Sequence, residues 1–401
     1  MSLHQHAFNP MQRYARVLPL VPAALLLCFA FLIPLGSILF WSVSNDEIRN
    51  GLPSTVKALQ QWDGRELPEE TIYRALLVDL ATSGSSSAVS VAAIRANYER
   101  SGFRSLIGST ARNARRFDQL NAKNSLIQFD SRWGDIEIWR IIARNSESLT
   151  SYYYLTALDL QQTAKGQIER APADKRIFVN AFFRTLSISM SVTVLCLFLG
   201  YPVAFCLAHA DPKVANVLLA LVIVPFWTPL LVRVAAWIVL LQREGLINES
   251  LSFLGLLTRG HELQLIYNRP GLLIAMTHVL LPFMILPLYS VMKNIRSDLT
   301  RAANSLGAKP WRAFLDVYLP LSMPGVTTGA LLVFITAIGY YVTPELVGGS
   351  GDQMISHFIA VYGTEVANWG QAAALGTLLL IAVLFLYVLY FPRMSASMAV
   401  K

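Results

Sequence analysis

Charge is what this sequence has least of. Only 14% of its 401 residues are Asp, Glu, Lys or Arg, while 54% are hydrophobic and the mean hydropathy is +0.46. A soluble domain is nearer a quarter charged. The shortage argues against a soluble enzyme and for a chain that crosses lipid several times. Cysteine is scarce as well. Cys28, Cys196 and Cys206 all fall inside apolar runs, so neither a disulfide framework nor a metal site is expected. No GxxxxGK[ST] phosphate loop, HExxH pair or GxSxG elbow is present, which leaves nucleotide hydrolysis, zinc proteolysis and serine hydrolysis without their usual residues. The apolar stretches lack period-2 alternation, which speaks against a membrane β-barrel. They also lack Asp or Glu well inside any of them, which counts against a deep cation site.

Six apolar runs are long enough for the ~20 residues of helix that cross a hydrocarbon layer. They cover approximately 17–42, 184–208, 215–241, 271–292, 321–344 and 369–391. Pro34, Pro202, Pro225, Pro229, Pro282 and Pro287 lie inside them. In a membrane bundle such prolines read as kinks rather than loops. The N-terminal run is too long for a cleaved signal peptide and no small-residue cleavage site follows it.

The net charge of +8 is explained by its distribution. With the N-terminus placed in the cytoplasm, the inner segments hold ten basic residues (Arg13, Arg16, Lys213, Lys293, Arg296, Arg301, Lys309, Arg312, Arg393 and Lys401) against three acidic ones. The short outer loops hold three basic residues against six acidic. That bias orients the chain with both termini inside and removes the case for nucleic acid. Residues 43–175 then face outward. They carry near-balanced charge and many aromatic and aliphatic residues, which favours a small, mostly helical domain over a disordered linker. Within it, LPEETIYRALLVDL opens on Pro and Glu as a helix should, and 89–120 and 146–166 also read as helical.

The polar segment 293–320 is the most informative. Leu299, Ala302, Ala303 and Leu306 share one helix face, Gly307 follows as a C-terminal cap, and Pro310 suits the first turn of a second helix. Trp311, Phe314, Leu315 and Tyr318 repeat the same spacing. The pattern is helix, glycine turn, helix, with both apolar stripes exposed, and Pro320 and Pro324 marking the return to the membrane. An interfacial loop lying on the headgroups would show the same amphipathicity.

The spacing Ala302-Ala303, three residues, Gly307, nine residues, Val317, Tyr318, Leu319-Pro320 resembles the EAA loop of inner-membrane permeases of ATP-binding-cassette (ABC) importers. Arg301 stands where that family often has Glu, which reverses a charge, and Val317 replaces Ile. PFWTPLLVRVAAWIVLLQREGLIN at 225–248 and YYVTPELVGGSGDQMISHFI at 340–359 are similar to stretches of the spermidine/putrescine-type subgroup. The resemblance covers about 176–392 and the first run. With the six runs it gives an all-α polytopic membrane protein with six transmembrane helices and cytoplasmic coupling helices; the helical extracytoplasmic insertion at 43–175 is read from the residues alone, since the resemblance does not reach it. The division expected is 1–42 (cytoplasmic N-terminus and first span), 43–175 (insertion) and 176–401 (permease core). It implies a bacterial inner-membrane subunit forming half a pore, with no cofactor of its own. ATP and Mg belong to a cytoplasmic ATPase dimer, and the other partners are a second, paralogous permease and a periplasmic solute-binding protein. Arg301, Ala302, Ala303, Leu306, Gly307, Trp311, Phe314 and Pro320 would carry ATPase coupling by helix-in-groove docking.

Candidate pore or substrate-path residues are Arg233, Trp227, Trp237, Tyr340, Tyr341 and Glu345. Arg233 either lines the pore or snorkels and pairs structurally near the outer interface. The aromatics either stack on a solute or sit in packing or an interface belt. His209 and His278 read as hydrogen-bonded to their surroundings rather than as a proton relay. Polyamines lead as solute, with opine-like or other amino-acid-derived solutes behind them. An ion-gradient-driven secondary transporter and a membrane-anchored sensor acting through 43–175 remain as other readings. The first usually carries intramembrane acids and internal repeats, neither of which is found here.

Overall fold

The computed structural model describes residues 21–83, 87–163, 166–257 and 262–398, the side chains of Ser83 and 389–398 excepted. Arg13, Arg16, the first residues of the 17–42 run, the middle of the SGSSS stretch, Arg259, the Arg393 side chain and Lys401 lie outside the described residues. The chain packs as two units. One comprises Met1–Pro172 with Asn368–Thr377, the other Ala173–Ala367 with Leu378–Lys401.

Among the described residues the first unit opens on the span Val21–Trp41, apolar but for Ser37 and with no buried residue. Seven helices follow, at Glu47–Gly51, Pro53–Leu59, Glu70–Ser83, Ser87–Glu99, Phe103–Asn113, Ala122–Phe129 and Ile136–Arg144. Tyr73, Leu76, Leu77 and Leu80 recur at i, i+3, i+4 and i+7 on the third of these and are all buried. They pack with Leu52, Leu106, Trp133, Trp139 and Ile142 into one apolar core. Its polar atoms are tied off. Tyr73 Oη and Trp139 Nε1 both donate to the Trp133 carbonyl, at 2.7 and 3.1 Å, and Trp133 Nε1 donates to Thr110 Oγ1 at 3.0 Å. Buried Asp79 accepts from the Ser54 and Thr55 amides and the Thr55 hydroxyl, closing the start of the Pro53–Leu59 helix.

The helix expected over 146–166 is not what forms. Among its described residues Tyr152–Ala157 alone is helical, and an antiparallel pair, Leu160–Gln162 with Ile168–Arg170, follows. The cause is local. Asp159 takes a left-handed φ of 56° and Gly166 one of 80°, and the Ala171 amide bonds back to the Asp159 carbonyl at 2.9 Å. These reversals stop a helix and close a hairpin.

In the second unit three spans, Phe178–His209, Arg269–Met292 and Pro310–Gly339, pack on one another around Ile188, Val192, Cys196, Met284, Leu288 and Val333. Gly325 and Gly329, one turn apart, lie so close to the fourth span that an added Cβ would sit 3.1 Å from Leu288 Cα and 2.8 Å from Met284 Sδ. Small residues let membrane helices approach in this way. Pro202, Pro282 and Pro287 stay inside continuous helices.

Pro225 and Pro229 do not. The run expected as one span at 215–241 is two helices, Pro212–Trp227 and Leu230–Leu241, meeting at 98°. Thr228 between them is extended, at φ −92° and ψ 135°, because the residue before a proline is driven out of the helical region. Two prolines four residues apart, each lacking an amide donor, turn a kink into a break. Among the described residues the fold therefore has five helices able to span a membrane, or six with the bent pair counted as one. The sixth helix, Trp369–Met398, starts in the first unit and continues in the second.

Candidate functional site

The segment after the fourth span folds as its glycine and proline dictate. Ser297–Ser305 is a helix ending at Leu306. Gly307 takes φ +93°, its amide bonds the Asn304 carbonyl at 3.0 Å, and the Ala308 amide bonds the Ala303 carbonyl at 3.1 Å. This pair of bonds is a Schellman cap, and the positive φ it requires suits glycine. Pro310 then occupies the first turn of the next helix.

That second helix is not a separate element before re-entry. It runs through a π turn at Phe314–Tyr318 straight into the fifth span, as one 30-residue helix to Gly339. Pro320 is in the first turn of the span and Pro324 inside it, neither breaking it. A movement imposed on Trp311 is therefore delivered directly to a transmembrane helix.

The apolar stripes are divided between inside and outside. Leu299, Ala302, Gly307 and Trp311 are exposed and Leu306 is 89% exposed. Ala303 and Phe314 are partly covered, while Tyr318 is only 4% exposed. Phe314 and Tyr318 do not face outward as the spacing suggests. They pack edge-on against Tyr201 and Phe205 of the second span, with His209 5.5 Å from Tyr318. Their bulk is needed to seat the connecting helix on the bundle, and Trp311 and Leu315 remain on the outside. Arg301 is exposed with no ion pair among the described residues. Asp298 instead pairs with Arg296 at 2.5 Å, and that hydrogen bond holds its carboxyl below the usual range.

The break in the third span organises a second cluster. Arg233 lies in the first turn after it, half-buried, with Nε enclosed and lacking a hydrogen-bond partner. One turn on, Trp237 Nε1 donates to His278 Nδ1 of the fourth span at 3.1 Å. The structure thus brings Trp237 together with His278 one turn after Arg233, packs Tyr340 at the edge of the three-span core, and leaves Trp227 and Tyr341 exposed. His278 is hydrogen-bonded across helices, and His209 bonds the Phe205 carbonyl of its own helix at 2.9 Å. Glu345 meets His357 Nδ1 at 2.6 Å.

Residues that sequence reasoning passed over hold the loop after the fifth span. Arg269 pairs with Asp352 at 3.0 Å, Arg184 Nε donates to the Gln353 carbonyl at 2.6 Å, and Thr185 Oγ1 accepts from the Ile355 amide at 2.8 Å. The only signal was an arginine in an otherwise apolar stretch and a GGSGD loop, neither of which names a partner 80 or more positions away.

Residues 197–396 match the family of binding-protein-dependent transport system inner membrane components. The chain is 33% identical over 214 residues to the spermidine/putrescine transport system permease protein PotB of Escherichia coli, covering 53% of this chain and 77% of that one. Against PotB of Haemophilus influenzae the identity is 36% over 214 residues, covering 53% and 74%. PotB of Salmonella typhimurium gives 33% with the same coverage.

The chain belongs to this family. It is a permease subunit of an ABC importer and a multi-pass protein of the inner membrane. It is not itself the ATPase, which is a separate chain, and a permease of this kind works with that ATPase, a solute-binding protein and a second permease. Residues 43–175 lie outside the family match.

Proposed function

We propose that this permease pairs with a paralogous subunit to form a polyamine pathway, driven through residues 297–315 by a dimeric cytoplasmic ATPase. The observation carrying the reading is the Schellman-capped elbow at Gly307. It leaves Leu306 and Trp311 bare and continues without interruption into the fifth span. An apolar ridge in water is costly, and a groove on a partner removes that cost. ATP and Mg²⁺ are bound by the partner, whose closure pushes the elbow and rocks the helices packed on it. The polyamine assignment is supported by similarity to permeases named for spermidine and putrescine. The lysine and arginine bias supports a cytoplasmic position for 293–320 and both termini and an outer position for 43–175, where that segment would present a surface to the binding protein.

The test is a cysteine at Leu306 or Trp311, oxidised in membranes against single cysteines on the ATPase, with putrescine uptake measured in parallel. Cross-linked permease–ATPase product is expected, and deletion of 298–316 is expected to abolish both uptake and co-purification. Intact uptake after that deletion would overturn the coupling assignment. ATP-dependent uptake of another solute only would overturn the polyamine assignment and leave coupling standing.

A further inference from the structure

At the junction of the first span's end and the last helix's start, both within the first unit, Trp41, Ser44, Glu47, Trp369 and Gly370 line a cavity of about 290 Å³. That is close to the low end, ~300 Å³, of small-molecule pockets. Its walls are held from behind. Ser42 Oγ is 2.8 Å from Tyr154 Oη, the Thr150 amide donates to the Val43 carbonyl at 2.8 Å, and the Asn45 amide to the Ser148 carbonyl at 3.0 Å. Gly370 sits against the Tyr153 ring, where an added Cβ would come within 2.3 Å. The two indoles are 6.0 Å apart at 57°, both open to the outside.

The chemistry is unfinished at one atom. Glu47 Oε2 is enclosed and has no hydrogen-bond partner. An ionised carboxylate only accepts, so the missing group is a donor or a cation. Tryptophan faces attract cations. No grouping of metal-ligand residues exists among the described residues, which turns the choice from a metal ion to an organic one. An interfacial belt would account for the tryptophans but leaves the enclosed carboxylate oxygen unanswered.

We propose that this cavity binds a primary ammonium group, with Glu47 as the counter-charge and Trp41 and Trp369 as its walls. A free polyamine and the amine of an aminolipid headgroup share that chemistry. Where the ammonium belongs to the transported solute, the inference rests on the polyamine reading above.

The assembled importer, without its binding protein, would be titrated with putrescine in nanodiscs of phosphatidylglycerol alone and in nanodiscs containing phosphatidylethanolamine. Saturable binding by calorimetry, at least tenfold weaker in E47Q and in a W41F/W369F double variant but largely kept in E47D, is expected. A weaker apparent affinity in the phosphatidylethanolamine discs, lost in E47Q, would assign the ammonium to lipid and still support the site. Binding in E47Q within twofold of wild type, in both lipid compositions, would overturn it. Putrescine uptake by vesicles separates the two readings. No uptake with E47Q-sensitive binding sinks the substrate reading alone, and uptake with E47Q-insensitive binding sinks this site alone.

Discussion

Arg95 shows how much one side chain can decide. It is 1% exposed in the first unit, donates to Asn45 Oδ1 at 2.8 Å and Asn145 Oδ1 at 2.5 Å, pairs with Glu99 at 3.3 Å and lies over the Tyr152 ring at 4.6 Å. Glu99 is shared with Arg144. Removing one partner leaves a buried charge uncompensated, so E99Q is expected to destabilise this unit by roughly 3–5 kcal/mol, measured by thermal unfolding of the full chain in detergent. Tyr73 gives a pH dependence. Burial pushes its phenol up from 10.0 to about 12. A raised folded pKa means the folded state keeps a proton the unfolded chain has lost, so stability is whole below pH 10 and falls as pH rises from 10 toward 12. Y73F is expected to lessen that alkaline loss, read as melting temperature against pH, at the cost of about 1 kcal/mol from the bond to Trp133. At Gly307 a β-carbon meets open space but the φ of +93° is strained for it. G307A is therefore expected to cost about 1 kcal/mol locally and to lower uptake per ATP hydrolysed in proteoliposomes while leaving the bundle folded.

At the scale of elements, the third span and the fourth–fifth pair argue in opposite directions. The third is opened by Pro225 and Pro229, and its break is what places Arg233 in a first turn, one turn before the Trp237–His278 bond. Replacing both prolines by alanine is expected to restore a continuous helix. Insertion would persist while uptake falls, checked by membrane fractionation beside transport. The fourth and fifth spans are drawn together by Gly325 and Gly329. G329L forces a side chain into Met284 and is expected to cost about 1–3 kcal/mol, visible as a lower melting temperature. Spacing alone announced the elbow at 297–318. It did not announce that Phe314 and Tyr318 belong to the bundle, because one helical face can be covered by a partner or by the chain's own neighbouring span, and only packing says which.

For the whole molecule, the family match accounts for the half that carries the elbow and the broken span. The other half is a folded helical unit with its own core, tied to the end of the first span by Asn45 and to the start of the sixth helix through Gly370 on Tyr153. If this unit receives the binding protein, replacing 46–172 by a short linker is expected to abolish solute delivery while the importer still assembles, read by co-purification beside uptake. Uptake unchanged by the replacement would remove the unit from transport.

Composition by itself determined an all-helical membrane protein, and the Ala-Ala, Gly, Leu-Pro spacing fixed the position of its elbow and, by resemblance, its family. Those properties are local or additive: hydropathy sums along a run, and capping is settled within six residues. Only the tertiary structure decided the rest. It showed that the third span breaks, that Arg233 stands one turn before the Trp237–His278 bond with no carboxylate pair among the described residues, that 160–162 pairs with 168–170 as strands, and that Trp41, Glu47 and Trp369 line one cavity. These are contacts between residues tens to hundreds of positions apart, or contests between a helix and a proline or left-handed residue. Neither leaves a period in the sequence, because the energy that decides them belongs to the packed neighbours.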